Sequence, residues 1–143
     1  MHLVVRSSQA VNEWSFKTKK NSQIVQDTLE KTSKKYGVKV YSFTNSGNHL
    51  HIVLRLTNRF TYKAFIRALT GTIAIKVTGA KKFNKLKKVF WDQRPFTRVL
   101  AWGRDFARAI DYVWLNKLES WGAIPYQKGR LRNIILRPFE STA

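Results

Sequence analysis

Val38-Lys39-Val40-Tyr41-Ser42-Phe43-Thr44-Asn45-Ser46-Gly47-Asn48-His49-Leu50-His51-Ile52-Val53-Leu54-Arg55-Leu56 contains two strand-like runs around Asn45-Ser46-Gly47-Asn48. Turn-forming residues between two β-rich segments predict a β-hairpin. Side chains alternate along a strand, so Leu50, Ile52, Leu54 and Leu56 share one face and His49, His51, Val53 and Arg55 the other. The unbroken aliphatic stripe is the core side. The histidine side is then not the main hydrophobic face.

Working outward, His2–Ser7 reads as a short strand ended by Ser7-Ser8, and residues 8–20 as a polar connection. Asn21 or Ser22 can cap a helix carrying Ile24, Val25 and Leu29 and closing at Gly37. After the hairpin, Thr57 or Asn58 opens a second helical stretch with Phe60, Phe65, Ile66, Leu69 and Ile73, running toward Gly79. Its last part, Thr72–Thr78, alternates as a strand would, which leaves that boundary open. Val89–Trp91 and Phe96–Leu100 look like strand segments around Asp92-Gln93-Arg94-Pro95, where proline forces a turn or bulge. A third helix runs from about Gly103 to Trp121, with Gly122 as its C-cap. The order β-α-β-β-α-β-α predicts an α+β, ferredoxin-like fold: a mainly antiparallel sheet of about four strands with helices packed on it. At 143 residues the chain is expected to form one domain, 1–143, with a basic tail from about 123.

Charge narrows the function. There are 27 Lys and Arg against 8 Asp and Glu, a formal +19, far more than solubility requires. Nucleic acid is the expected partner. With 43% hydrophobic residues a real core can form, and with no Cys, thiol catalysis, zinc fingers and disulfides are excluded. The apolar start is too short for a signal peptide, and no apolar run approaches the ~18 residues of a membrane span. A cytosolic, nucleic-acid-facing (nucleoid-associated) protein without membrane contact is expected. Candidate phosphate contacts are Lys17, Lys19 and Lys20, then Lys81, Lys82, Lys85, Lys87 and Lys88, then Lys128, Arg130 and Arg132, together with Arg94, Arg98 and Arg108. Trp14, Phe16, Phe83, Trp91, Trp102 and Tyr126 lie among these clusters, either as platforms for unpaired bases or as core.

Two constellations carry chemistry. His49 and His51 on one strand face can share a divalent cation, or can simply be solvated side chains on a half-covered surface. On a helical wheel of about 100° per residue, Tyr112 shares a face with Asp105, Arg108, Asn116 and Glu119. Phe106, Ile110, Val113, Trp114 and Trp121 form the opposite, apolar stripe. Tyr112 is accordingly either an amphipathic surface tyrosine or a nucleophile, with Asn116 one turn along to position a metal. His2, alone on the first strand, reads as structural. Eight carboxylates include no obvious three-membered metal set, and no Gly-x-Ser-x-Gly elbow is present.

Asn48-His49-Leu50-His51-Ile52-Val53-Leu54, the block Phe90–Val99 and Asp111-Tyr112-Val113-Trp114-Leu115-Asn116 together resemble the His-hydrophobic-His endonucleases. More closely, the chain is similar to single-tyrosine transposases of the insertion-sequence 200/605 type and to REP-associated tyrosine transposases, over nearly its whole length. The resemblance implies a metal-dependent single-stranded DNA endonuclease and strand transferase acting beside DNA hairpins. It assigns Mg²⁺ or Mn²⁺ to His49, His51 and Asn116, and to Tyr112 the attack that gives a 5′-phosphotyrosine. Relatives are often dimers, sometimes with the tyrosine helix placed against the partner's histidine pair, so the resemblance also implies a homodimer as one candidate assembly. A non-catalytic hairpin binder is the alternative. If about six to ten phosphates are contacted, affinity for DNA should fall roughly 10³–10⁵-fold between about 50 and 200 mM salt. A fluorescence-anisotropy titration series checks this.

Overall fold

The computed structural model describes residues 1–80, 89–101 and 103–125. Its elements are β1 (His2–Arg6), α1 (Lys19–Tyr36), β2 (Val38–Asn45), β3 (His49–Leu56), α2 (Tyr62–Thr78), β4 (Phe96–Arg98) and α3 (Arg104–Ser120), with 3₁₀ turns at Asn12–Trp14 and Arg59–Thr61. The strands form one antiparallel sheet in the order β2-β3-β1-β4. This is the expected ferredoxin-like arrangement, with α3 added on the second face.

The aliphatic stripe of β3 lies where its alternation predicts. Leu50, Ile52 and Leu54 are buried with Leu3 and Val5 of β1 against Val25 and Leu29 of α1 and Phe65, Leu69, Ile73 and Val77 of α2. Ile73 and Val77 are one helical turn apart, whereas Ile75 is exposed. The apparent alternation of 72–78 is therefore resolved as helix, because its core-facing residues follow the i, i+4 period. Both helices end on glycines in the left-handed region, Gly37 (φ 64°) and Gly79 (φ 69°), as anticipated.

Three local expectations are corrected. α1 starts at Lys19, and its cap is Thr18, whose hydroxyl accepts the N–H of Asn21 at 3.1 Å. Asn21 is not the cap but a buried clamp: its Nδ2 donates to the carbonyls of Glu13 (2.7 Å) and Ser15 (2.9 Å). Val89–Trp91 is not a strand. Ser7 Oγ donates to the Phe90 carbonyl, the Asp92 N–H donates to the Arg6 carbonyl at 3.0 Å, and Ser8 donates to Asp92 Oδ1 through both its N–H and Oγ at 2.7 Å. These bonds tie the segment to the end of β1 without a ladder. The following strand is also shorter than expected, Phe96–Arg98 rather than Phe96–Leu100.

The aromatics of this region are mainly core. Phe16 is fully buried, Trp14 and Trp91 pack against the main cluster, and the Trp91 indole donates to the Thr70 carbonyl at 3.0 Å. Phe83, Trp102 and Tyr126 lie outside the described residues, as do Lys81, Lys82, Lys85, Lys87, Lys88, Lys128, Arg130 and Arg132. Among the described residues no helix is long and apolar enough to cross a membrane.

The two polar residues at the start of α1 differ in cost. Thr18→Ala removes a cap and should cost about 1 kcal/mol. Asn21→Ala leaves two part-buried carbonyls without their donor and should cost about 1–3 kcal/mol. Urea unfolding of the two variants tests the order.

Candidate active site

Register on β3 builds the site. Thr44 of β2 and Val4 of β1 flank His51, Arg6 stands opposite His49, and His2 opposite Val53. Directly paired residues share a sheet face, so His2, Val4, Arg6, His49, His51 and Val53 lie on the face away from the main core. Phe96 and Arg98 of β4 join them, opposite Val4 and His2.

α3 covers half of this face. Val53, Ala109 and Val113 form a second buried cluster, with Tyr41, Phe106, Ile110 and Tyr112 packed around it. Fully burying a side chain the size of Val113 contributes about 1.5–3 kcal/mol. The hydrogen bond from buried Thr44 Oγ1 to the Val113 carbonyl (3.0 Å) adds about 1 kcal/mol. Apolar contact thus dominates the docking of α3, and the hydrogen bond fixes its position along the sheet.

This docking corrects the helical wheel. Trp114 and Trp121 are not core residues; they are 50% and 63% exposed and their rings meet edge to face with centroids 6.2 Å apart, with the Lys117 ammonium over both. The buried line is Ala109–Val113, flanked by Phe106 and Ile110. Tyr112 is half-buried beside it rather than on a solvent face opposite the apolar stripe. Of the two motif histidines, His51 is buried, at 3% exposed, and His49 is half-buried.

Four rings converge under α3. Centroids of His49 and His51 are 4.8 Å apart, and Tyr112 lies 5.3 Å from His51 and 5.4 Å from His2. Tyr112 meets the histidines of its own chain. His2 is thereby moved from a structural role on β1 into the site. Its placement depends on strand register, which no local pattern in the chain specifies. Asn116, one turn beyond Tyr112, folds its Nδ2 back onto the Tyr112 carbonyl at 3.1 Å, which leaves its Oδ1 as the atom able to ligate.

The imidazoles are held neutral. Burial pushes His51 down to about 3, assisted by His49 and His2; burial, the chain's amino terminus and Arg98 push His2 down to about 4. His49 is lowered by burial, then by Arg6 and Lys17. His49 Nδ1 lies 2.6 Å from Asn48 Oδ1, an atom that can only accept, so Nδ1 carries the proton and Nε2 the lone pair. His51 Nε2 is buried and has no hydrogen-bond partner. Two neutral imidazoles with uncommitted Nε2 atoms fit a divalent cation, with Asn116 Oδ1 as a candidate further ligand. Among the described residues no three of His, Cys, Asp and Glu form a cation cage, so the remaining ligands would be oxygens of another kind.

The uncovered half of the face is a groove of about 420 Å³ lined by Val4, Arg6, Asp92, Gln93, Arg94 and Phe96. Phe96 is 59% exposed. Of the expected cations, Arg94 lines this groove, Arg98 stands opposite His2, and Lys17 reaches the Ser120 carbonyl at the end of α3 (3.0 Å) while its charge is felt at His49. Lys19 and Lys20 are exposed on the first turn of α1, and half-buried Arg108 sits one turn before Tyr112. Arg6 was not among the expected cations, because a strand arginine beside a turn carries no signal without the pairing that sets it opposite His49.

The family model described as "Transposase IS200 like" matches residues 1–101. The chain belongs to that family. Among solved structures, a REP-associated tyrosine transposase bound to a REP hairpin superposes with a TM-score of 0.65 at 16% identity, covering 96% of this chain and 81% of that one. A protein from Deinococcus radiodurans R1, provisionally described as a transposase, gives 0.53 at 14% identity, covering 80% and 88%. Among curated proteins no sequence matches this chain. The IS200-like assignment thus rests on the family match, and the two structures show that the fold is shared.

Buried neutral histidines make the metal-free IS200-like chain sensitive to acid. Unfolded, His2 and His51 titrate near 6.5; folded, near 4 and 3. Between those values the unfolded chain binds more protons, so stability rises with pH. Their contribution is fully present above about pH 6.5 and is lost as pH falls toward the folded values. Urea unfolding between about pH 7 and 5, above the carboxylate range, should show this slope, and His51→Gln should flatten it.

Proposed function

We propose that this IS200-like protein is a single-stranded DNA nicking and joining enzyme, with Tyr112 as nucleophile and Mg²⁺ or Mn²⁺ held by His49, His51 and Asn116. The observation that carries the reading is the contact between the Tyr112 ring and His51, whose buried Nε2 has no other partner. A catalytic phenol beside a pair of neutral imidazoles is an arrangement that packing alone does not require.

In the reaction, Tyr112 Oη gives up its proton to solvent water and attacks a backbone phosphorus in line with the 3′ oxygen. The Oη–P bond forms, the P–O3′ bond breaks, and O3′ takes a proton from solvent to become a free 3′-OH. The product is a 5′-phosphotyrosine, which retains the energy of the broken ester for rejoining, so no nucleotide cofactor is needed. Held by His49, His51 and Asn116, a cation would supply Lewis-acid polarisation of the phosphate and stabilisation of the developing alkoxide. The protein side chains position the strand. The half-buried tyrosine is fixed by docking of α3, and the groove beside the histidines presents Arg6 and Arg94 to phosphates and the exposed Phe96 ring to a base. The REP hairpin bound by the structural neighbour supports hairpin-bearing DNA as the substrate.

Covalent capture tests the chemistry. Incubated with hairpin-bearing single-stranded DNA and Mn²⁺, the wild-type protein should give a protein–DNA adduct on a denaturing gel. Tyr112→Phe should fold, keep hairpin affinity and give none; His51→Ala should lose cleavage and weaken Mn²⁺ binding. Hairpin binding without an adduct in the wild type would identify a non-catalytic binder instead. Arg6→Ala should weaken single-strand binding and lower the slope of affinity against log salt by about one contact.

A further inference from the structure

His2 is 2% exposed on a central strand, a position where an imidazole is costly unless its polar atoms are used. Its Nε2 lies 3.3 Å from Nδ1 of His51. The two ring centroids are 5.5 Å apart and the planes differ by only 24°. So short a nitrogen contact at so long a centroid separation means the rings meet edge to edge along the N···N line, as an in-plane hydrogen bond requires. They do not stack face on face.

One proton lies between these two nitrogens, and its position decides what His51 can do. If His2 Nε2 carries it, His51 is protonated on Nε2 and has no lone pair there to offer. If His51 Nδ1 carries it, His51 Nε2 is an unprotonated ligand atom. The neighbouring imidazole already follows the second pattern, because Asn48 Oδ1 forces the proton of His49 onto Nδ1. Asn48 is adjacent to its histidine in the chain; His2 reaches His51 only through the pairing of β1 with β3.

We propose that His2 is a positioning residue, whose Nε2 accepts the Nδ1–H of His51 and so keeps His51 Nε2 free to bind the cation. The inference rests on the metal-centre reading above and extends it by one residue. His2 is not itself a ligand, since the nitrogen facing the site is committed to His51. Its ring edge also meets Tyr112, so the same side chain locates the nucleophile relative to His51.

The test uses the full chain without DNA. Long-range ¹H–¹⁵N correlation spectra of histidine-labelled wild-type protein should show His51 as the Nδ1–H tautomer. His2→Phe keeps a flat ring but removes the acceptor; its Mn²⁺ affinity, read by electron paramagnetic resonance, should fall about 10–100-fold. Cooperative thermal melting and hairpin affinity should survive. His2→Gln, which returns an acceptor near the position of Nε2, should recover most of the loss. An Nε2–H tautomer for His51 in the wild type overturns the proposal, as does undiminished Mn²⁺ affinity in His2→Phe. The tautomer decides even if His2→Phe fails to fold. Wild-type protein that binds no Mn²⁺ instead overturns the metal centre itself, a failure distinct from equal Mn²⁺ affinity in the wild type and His2→Phe.

Discussion

Register between β1 and β3 sets Leu3 and Val5 beside Leu50 and Ile52 on one side, and His2, Val4 and Arg6 beside His49, His51 and Val53 on the other. Core and site depend on that one alignment. A slip of one residue would turn the aliphatic residues of β1 toward the histidines and bury Val4, His2 and Arg6 in the main core. Such a slip is penalised twice, because β3 is covered on both faces, by α1 and α2 below and by α3 above. Double coverage makes the pairing unambiguous, and the imidazole cluster inherits its geometry from it.

The second layer gives the site its chemistry. α3 docks through Ala109 and Val113 on Val53, and this apolar contact removes His51 from water while bringing Tyr112 against it. Burial disfavours the imidazolium, and the positive charges of Arg6, Lys17 and Arg98 disfavour it further. Neutral imidazoles are what a cation requires, and the same basic residues attract phosphate. The basic residues therefore have two consequences at one place: they favour a polyanion and, after burial, they help keep His2 and His49 unprotonated.

Legibility in the sequence followed the range of the interactions. The hairpin, the glycine ends of α1 and α2 and the separation of the two faces of β3 all arise within a few residues, and each could be read directly. The helical wheel of α3 does not predict its buried face, because hydrophobicity is not the same as burial. Trp114 and Trp121 are large and apolar but remain exposed, and Ala109 and Val113 make the buried contact with Val53. Val89–Trp91 has strand-like composition, yet Ser7, Ser8 and Arg6 hold that segment by side-chain and isolated backbone bonds instead of a ladder.

The sequence by itself determined the α+β order, the strand hairpin carrying His49 and His51, and the basic character suited to nucleic acid, because periodicity, turn chemistry and net charge are properties of the chain. It also singled out Tyr112 and Asn116 as a pair one helical turn apart. Only the tertiary structure decided that Tyr112 stands over His51 of the same chain, that Arg6 lies opposite His49, and that His2 hydrogen-bonds to His51. Each of these is a contact between residues about forty or more positions apart, created by strand pairing and helix docking. Local sequence encodes which face a side chain takes; which other side chains share that face is decided when the sheet closes.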